Sequence, residues 1–262
     1  VNETASEVWR ARYGDSATPD AALEAFWRHR SVRRYTDQPI SDALRAGMEA
    51  AAQSASTSSH LQLWSAVRVV DPELREQAAK LCGDQNQIRS AAEFYVFCAD
   101  LHRVEVLGEA QPDAALDHAE ALLLAVVDAS LAAERMVCAA EAAGLGICYI
   151  GAARNQPIEL ARLLGFPGRV FAVFGLCLGF PVPDAGRIKP RRAREETFFT
   201  DRYAAPAQAE EFDRRMAEFY NQEGMEADVP WSQRSLRRMT RPYLSGRETL
   251  AESLRALGFP FR

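Results

Sequence analysis

Glu93-Phe94-Tyr95-Val96-Phe97-Cys98-Ala99 is rich in aromatic residues and apolar on both faces that an extended chain presents. A strand of that kind belongs inside a sheet covered on both sides. Around it, Ser65 to Val70 reads as an earlier strand, ended by Asp71-Pro72, which opens a helix through about Leu81. Asp113 to Ala143 reads as one long helix, apolar nearly all round through LLLAVV and LAAERMVCAA, so it lies in a core or a subunit interface. GLGICYIG ends that helix and starts a short strand; a helix over Asn155 to Leu164 and a strand over Val170 to Leu178 follow.

On the N-terminal side, Asn2 to Phe26 reads as a helical lead-in broken around Asp15 to Asp20. WRHRSVRRYTDQPI then precedes a helix capped by Ser41 and running to about Gln53, and SASTSSH is a hydroxyl-rich loop. Beyond Gly179 come a Pro- and Gly-punctuated basic loop, GRIKPRRARE, and a polar stretch of helical period from about Thr197. Phe198, Phe199, Tyr203, Phe212, Phe219, Tyr220 and Trp231 are its aromatic anchors. The expected class is α+β, with a helical C-terminal excursion over residues 180–262.

The 262 residues are 48 % hydrophobic and 26 % charged, an ordinary globular balance. A net charge of −5 is too mild to imply a nucleic-acid or membrane partner. The charges Glu120, Asp128, Glu134, Arg135 and Glu141 argue against a membrane span in the most apolar stretch. The N-terminal residues lack an apolar signal core. Cys82, Cys98, Cys138, Cys148 and Cys177 have no metal-type spacing and, Cys82 apart, sit in apolar surroundings. They read as reduced, mostly buried thiols of a cytoplasmic protein.

In an extended His29-Arg30-Ser31-Val32-Arg33, the side chains of His29, Ser31 and Arg33 share one face, a set of donors suited to a phosphate. Lys189-Pro190-Arg191 places two more cations on a stiffened loop. Each cluster alone also fits a solvated basic turn. Gly144-Leu145-Gly146 is followed by Gly151, so G-x-G-x-x-G fails, and a helix rather than a strand precedes it. Tyr149-Ile150-Gly151-Ala152 still offers main-chain N–H groups to a flat ligand, or is simply a tight turn. No phosphate-loop, serine-nucleophile or metal motif is present, and His29, His60, His102 and His118 are scattered. The absence of an acid, base or nucleophile set fits chemistry carried by a bound cofactor.

HRSVRRYTDQPIS, SSHLQ, AAEFYVFCAD, GLGICYIGAARN, FGLCLGFP and KPR, in that order, resemble the oxygen-insensitive nitroreductases, in particular the branch of the major NADPH nitroreductase and flavin reductase P. The resemblance runs from about Ala21 to the end and implies a nitroreductase-like domain over 21–262. Such a domain has a central, mostly antiparallel sheet flanked by helices. It further implies a homodimer with two FMN sites and a ping-pong transfer of hydride from NADPH, or NADH, to small planar acceptors. By position, His29, Ser31, Lys189 and Arg191 would hold the FMN phosphate, with Arg30 and Val32 beside them. Arg33 would sit at the pyrimidine end of the flavin, where reduction places negative charge. Thr57 and Ser59 stand in the hydroxyl loop, and Gln85 matches an amide partner of the ring. Tyr149, Ile150, Gly151 and Ala152 would give the contact at flavin N5. Arg247 matches an arginine for the NADPH 2′-phosphate. Glu226 and Asp228 would oppose that phosphate unless Arg234, Arg237, Arg238 or Arg241 compensates. Val1 to Asp20 has no counterpart in the resemblance and reads as a surface arm. A flavin carrier or redox sensor is the alternative in another class, and salt-sensitive nucleic-acid binding through GRIKPRRAR a remoter one.

Overall fold

Four strands, β1 (Trp64–Arg68), β2 (Glu93–Asp100), β3 (Gly146–Ile150) and β4 (Val170–Gly179), pair antiparallel in the order β1-β2-β4-β3 in the computed structural model. The structure describes residues 3–15, 21–107, 115–205, 209–226 and 228–261. Two compact units divide the chain: Ser31–Ala185 with Ser245–Arg262 contains the sheet, and Val1–Arg30 with Gly186–Leu244 forms the other.

In the sheet unit, β2 is buried along its whole length. Phe94, Val96 and Cys98 face Ala78 and Ala79 of the helix Pro72–Leu81 and Leu160 of the helix Pro157–Leu163. The alternate residues Tyr95 and Phe97 face Met48 and Ala52 of the helix Asp42–Gln53 and Ala132, Ala133 and Met136 of the helix Ala119–Ala142. Both faces are thus covered, as the composition of β2 requires; burying each aromatic ring contributes roughly 1.5–3 kcal/mol. Ser41 caps the Asp42–Gln53 helix by accepting the Leu44 N–H at 3.2 Å, and Asp71 accepts from Glu73 and Leu74 at the start of the next helix.

The first strand lies one residue earlier than expected and stops at Arg68. The long helix begins at Ala119, not Asp113, because Ala115–Asp117 closes a separate 3-10 turn before His118; residues 113 and 114 lie outside the described ones. The later helix is shorter than expected, starting at Pro157. Cys82, which lies outside an apolar stretch in the sequence, is fully buried.

In the other unit, the expected helical lead-in forms the helix Ala5–Tyr13, but it is no surface arm: it buries Val8 and Trp9 with Trp27 and Ile188, and residues 16–20 lie outside the described ones. Thr4 and Glu7 make a reciprocal capping box at its start. Phe212, Met216, Phe219 and Tyr220 form a second small cluster, with Trp231 against it. Phe198 and Tyr203 are exposed, with Tyr203 edge-on to Phe199 at a ring-centroid distance of 5.1 Å. The C-terminal excursion divides: residues from Ser245 onward belong to the sheet unit, where Leu254 and Phe259 pack with Leu101 and Phe171. Among the described residues, no helix is long and apolar enough to cross a membrane, and no cluster of His, Cys, Asp and Glu is arranged to hold a metal ion.

Candidate functional site

Within the sheet unit, Ser31 bridges Ile147 of β3, and the Val32 N–H donates to the Ile147 carbonyl at 2.8 Å. The chain is extended here, so Val32 is buried while Ser31 and Arg33 are exposed on the opposite side. The Val32 carbonyl accepts the Tyr35 hydroxyl at 2.7 Å, leaving both main-chain polar groups of Val32 engaged in the fold. Gly146 makes this fit possible: a Cβ there would lie 2.6 Å from the Val32 Cβ. Gly144 turns the helix end with a φ of 81°, a conformation that suits glycine. The two glycines that imitate a dinucleotide fingerprint therefore serve a helix cap and a close strand approach. Burial pushes the Cys148 thiol up in pKa, and the nearby Arg33 guanidinium draws it partly back.

Gln85 and Ala152 meet around Gly83. A Cβ on Gly83 would lie 3.5 Å from the Ala152 Cβ, 3.6 Å from Asn155 Nδ2 and 4.0 Å from Gln85 Nε2. Gln85 Nε2 donates to the Cys82 carbonyl at 2.9 Å, and Gln85 Oε1 accepts from Gln87 Nε2 at 2.7 Å, which fixes the orientation of the amide. Ile150 is buried at the end of β3, and Gly151 opens the turn Gly151–Arg154. Beside it an apolar cavity of about 420 Å3 is lined by Ser130, Leu131, Glu134, Tyr149, Gly151, Arg154 and Phe174. Tyr149 stands edge-on to Phe174 with ring centroids 5.1 Å apart and donates its hydroxyl to Glu134 Oε2 at 3.1 Å. Arg247 donates through Nε to Asn155 Oδ1 at 2.8 Å, while Gly246 approaches the Asn155 carbonyl so closely that a Cβ would lie 2.9 Å from it. Asn155 thus links Arg247 to the turn that follows Gly151.

The hydroxyl loop is held from beneath by Asp128, a fully buried carboxylate on the long helix. Its Oδ1 accepts the Ser58 N–H at 3.1 Å and its Oδ2 the Leu63 N–H at 3.0 Å. Thr57 Oγ1 accepts the Gln62 N–H at 3.3 Å. Ser59, His60 and Gln62 all take positive φ, at 48°, 58° and 53°, a concentration of left-handed non-glycine residues that the surrounding bonds must hold in place.

The other unit gathers His29, Lys189 and Arg191 around Arg12, which is 3 % exposed. Arg12 Nε and Nη2 donate to the Trp27 carbonyl at 3.2 and 2.9 Å, Nη2 also to the His29 carbonyl, and Nη1 to the Lys189 carbonyl at 3.1 Å. The Arg12 carbonyl in turn accepts the Arg191 N–H at 2.7 Å. The Lys189 ammonium lies 5.7 Å from the centroid of Phe219, and the Arg191 guanidinium donates to the carbonyls of Lys189 and Pro190 at 3.2 and 3.3 Å. Asp228 is met by Arg234 and Arg237, each at 3.2 Å, and Arg234 and Arg238 stack on Tyr220 and Tyr243. Arg30 Nε is buried with no hydrogen-bond partner, an orphaned donor.

Sequence reasoning passed over Arg12, Asp128 and Asn155. Asp128 carried a signal, a lone acid among the buried alanines 125, 129 and 132. The other two carried none, because one collects main-chain carbonyls and the other a single distant arginine.

An antiparallel sheet covered by helices on both faces, with a glycine turn beside an apolar cavity, defines a fold that known proteins share. The Nitroreductase family profile matches residues 27–180 and the profile described as "Nitroreductase family, C-terminal domain" matches residues 189–262, so the chain belongs to the nitroreductase family. It is 39 % identical over 229 residues to an oxygen-insensitive NADPH nitroreductase of Salmonella typhimurium, covering 85 % of this chain and 93 % of that one. It is 37 % identical over 184 residues to an FMN reductase (NADPH) of Bacillus subtilis, covering 69 % and 74 %. The crystal structure of nitroreductase A from Vibrio parahaemolyticus superposes with a TM-score of 0.83 at 32 % identity, over 93 % of this chain and 100 % of that one.

Proposed function

We propose that this chain is an NADPH-dependent FMN oxidoreductase that reduces small planar acceptors, nitroaromatics, quinones or free flavin, with donor and acceptor using one pocket in turn. The observation that carries the reading is the cavity beside Gly151, whose volume of about 420 Å3 and aromatic wall suit a flat ring system. The residues fit FMN. Gly151 presents main chain with nothing but Arg154 Nη2, at 3.5 Å, in the space a Cβ would take. Gln85 offers an oriented amide, Arg33 is an exposed cation, and the orphaned Arg30 Nε is a donor in want of an acceptor. When bound, FMN supplies the hydride chemistry for which the protein itself has no acid, base or nucleophile set.

The protein's part is positional and electrostatic. His29, Lys189 and Arg191 hold the phosphate, aided by Arg30 and the Ser31 hydroxyl. Arg33 places positive charge at the pyrimidine end, and Val32 serves through its packing against Gly146. Thr57 and Ser59 border the ligand from their loop, and Tyr149, Ile150, Gly151 and Ala152 line its ring. Arg247, held by Asn155, receives the 2′-phosphate of NADPH, and NADH is the poorer donor. A second copy of the chain covers Leu123, Val127 and Leu131, which recur every four residues on the long helix and are 57, 43 and 43 % exposed. The five free thiols suit a reducing compartment such as the cytoplasm.

The test is an absorption spectrum of the purified protein, then anaerobic addition of NADPH. A flavin spectrum that bleaches supports the reading. One that persists favours a carrier or sensor, and a protein that takes up no FMN overturns the reading altogether. Arg33→Ala is expected to release FMN or slow its reduction, and a monomer mass at micromolar concentration would remove the second copy.

A further inference from the structure

We infer that Arg12 is a positioning residue for the phosphate end of the cofactor, and that the helix Ala5–Tyr13 serves this end; the inference rests on the FMN reading above. The buried guanidinium donates to the carbonyls of Trp27, His29 and Lys189, so one side chain sets the main chain at two residues of the phosphate cluster that are 160 positions apart in sequence. The third, Arg191, is set from the same residue, since its N–H donates to the Arg12 carbonyl at 2.7 Å. Arg215 reinforces the arrangement, donating to the Arg12 carbonyl at 2.9 Å and to the Arg191 carbonyl at 3.2 Å. Gly14 leaves it room: a Cβ there would lie 2.8 Å from Arg215 Nε.

Each of these bonds runs through main chain, so Arg12 fixes the backbone from which the side chains of His29 and Lys189 extend, and the Lys189 ammonium lies 5.7 Å from the centroid of Phe219. Of the three acceptors, the Trp27 carbonyl ends the short helix Glu24–Trp27, where a cation is favourably placed. A charge-assisted donor is stronger than a neutral one, and five donors on a planar fork reach three separate carbonyls, which a lysine ammonium cannot do with the same geometry. Trp9 and Val8, packed on Trp27 and Ile188, hold the helix in place beneath. This unit therefore places its phosphate cations by a device that lies in the first fifteen residues, outside the span that the nitroreductase profiles match.

The experiment compares binding of FMN and of riboflavin, which lacks the phosphate, to the apoprotein, for the unchanged chain, Arg12→Gln, Arg12→Lys and Arg215→Ala. The unchanged chain is expected to prefer FMN strongly. Arg12→Gln is expected to weaken FMN by about tenfold or more with riboflavin altered less than about twofold, Arg12→Lys to fall between, and Arg215→Ala to follow in the same direction. Loss of both ligands in equal proportion marks a merely structural arginine and overturns the inference. So does full retention of the FMN preference in Arg12→Gln and Arg12→Lys. An unchanged chain that binds FMN no better than riboflavin overturns the phosphate reading itself, a result distinguishable from the other two. Should Arg12→Gln fail to fold, Arg12→Lys and Arg215→Ala carry the same comparison.

Discussion

Asp128 in the sheet unit and Arg12 in the other unit are mirror images in chemistry. The aspartate is wholly buried and collects two main-chain N–H groups; the arginine, 3 % exposed, collects three main-chain carbonyls. The one lies on a 24-residue helix against a continuous apolar core, the other on a nine-residue helix backed by a cluster of four buried residues. A buried charge tolerates desolvation only when it is fully bonded, so both must hold their partners tightly. The difference is in what remains if the charge is lost. The sheet unit keeps its packed layers, whereas the other unit loses the side-chain bonds from residue 12 to Trp27, His29 and Lys189 and keeps only those to the Arg12 carbonyl and the small cluster behind the helix.

The largest effect should come from the layers themselves. Phe97→Ala, fully buried beneath the long helix, is expected to cost about 3–5 kcal/mol in urea unfolding, and Phe212→Ala, in a four-residue cluster, about half of that. Equal losses would break the comparison. Asp128→Ala is expected to cost about 2 kcal/mol and to speed amide exchange at Ser58 and Leu63 specifically. Unchanged protection of those two amides would deny it the loop. Arg247→Ala is expected to raise the KM for NADPH about tenfold with that for NADH nearly unaltered, and Asn155→Ala to do the same more weakly. Parallel changes in both donors would release Arg247 from the 2′-phosphate.

The smallest effect is a loosening in alkali, and it belongs to the sheet unit, which contains every cysteine of the chain. Burial pushes the Cys82 thiol from 9.0 up to about 12, and raises Cys98 and Cys177 as well. The unfolded chain therefore releases these protons before the folded one does. The stabilisation is complete below pH 9 and is lost as the pH climbs from there toward 12. Tyr35, Tyr95 and Tyr149, also raised by burial, act in the same direction. The urea midpoint is expected to fall between pH 8 and 10.5; a constant midpoint would contradict the burial of these groups.

Most of the sheet unit could be read from residue order because its rules are local. Alternation in Phe94 to Ala99, the cap at Ser41 and the Asp71-Pro72 start each involve residues a few positions apart. The resemblance singles out Gln85, Ala152 and Arg247, and the structure draws them together through Gly83 and Asn155. The N-terminal helix was misjudged as a surface arm because its burial depends on Trp27 and on the distant Ile188. Phe198 and Tyr203 differ in the opposite sense, exposed where anchors are expected: hydrophobicity alone does not say how much of a ring is covered. Arg12 was invisible for a further reason. Its acceptors are carbonyls, which every residue possesses, so no side-chain pattern announces them.

The bond from Arg12 to Lys189 spans 177 positions. At about 5–20 residues per second, a ribosome needs roughly 10–35 s to make that stretch. For all of that time the nascent helix can meet Trp27 but has no Ile188 to close over it, and its guanidinium stays hydrated. A segment synthesised before the strands of the sheet thus finds its place only after all of them have been made.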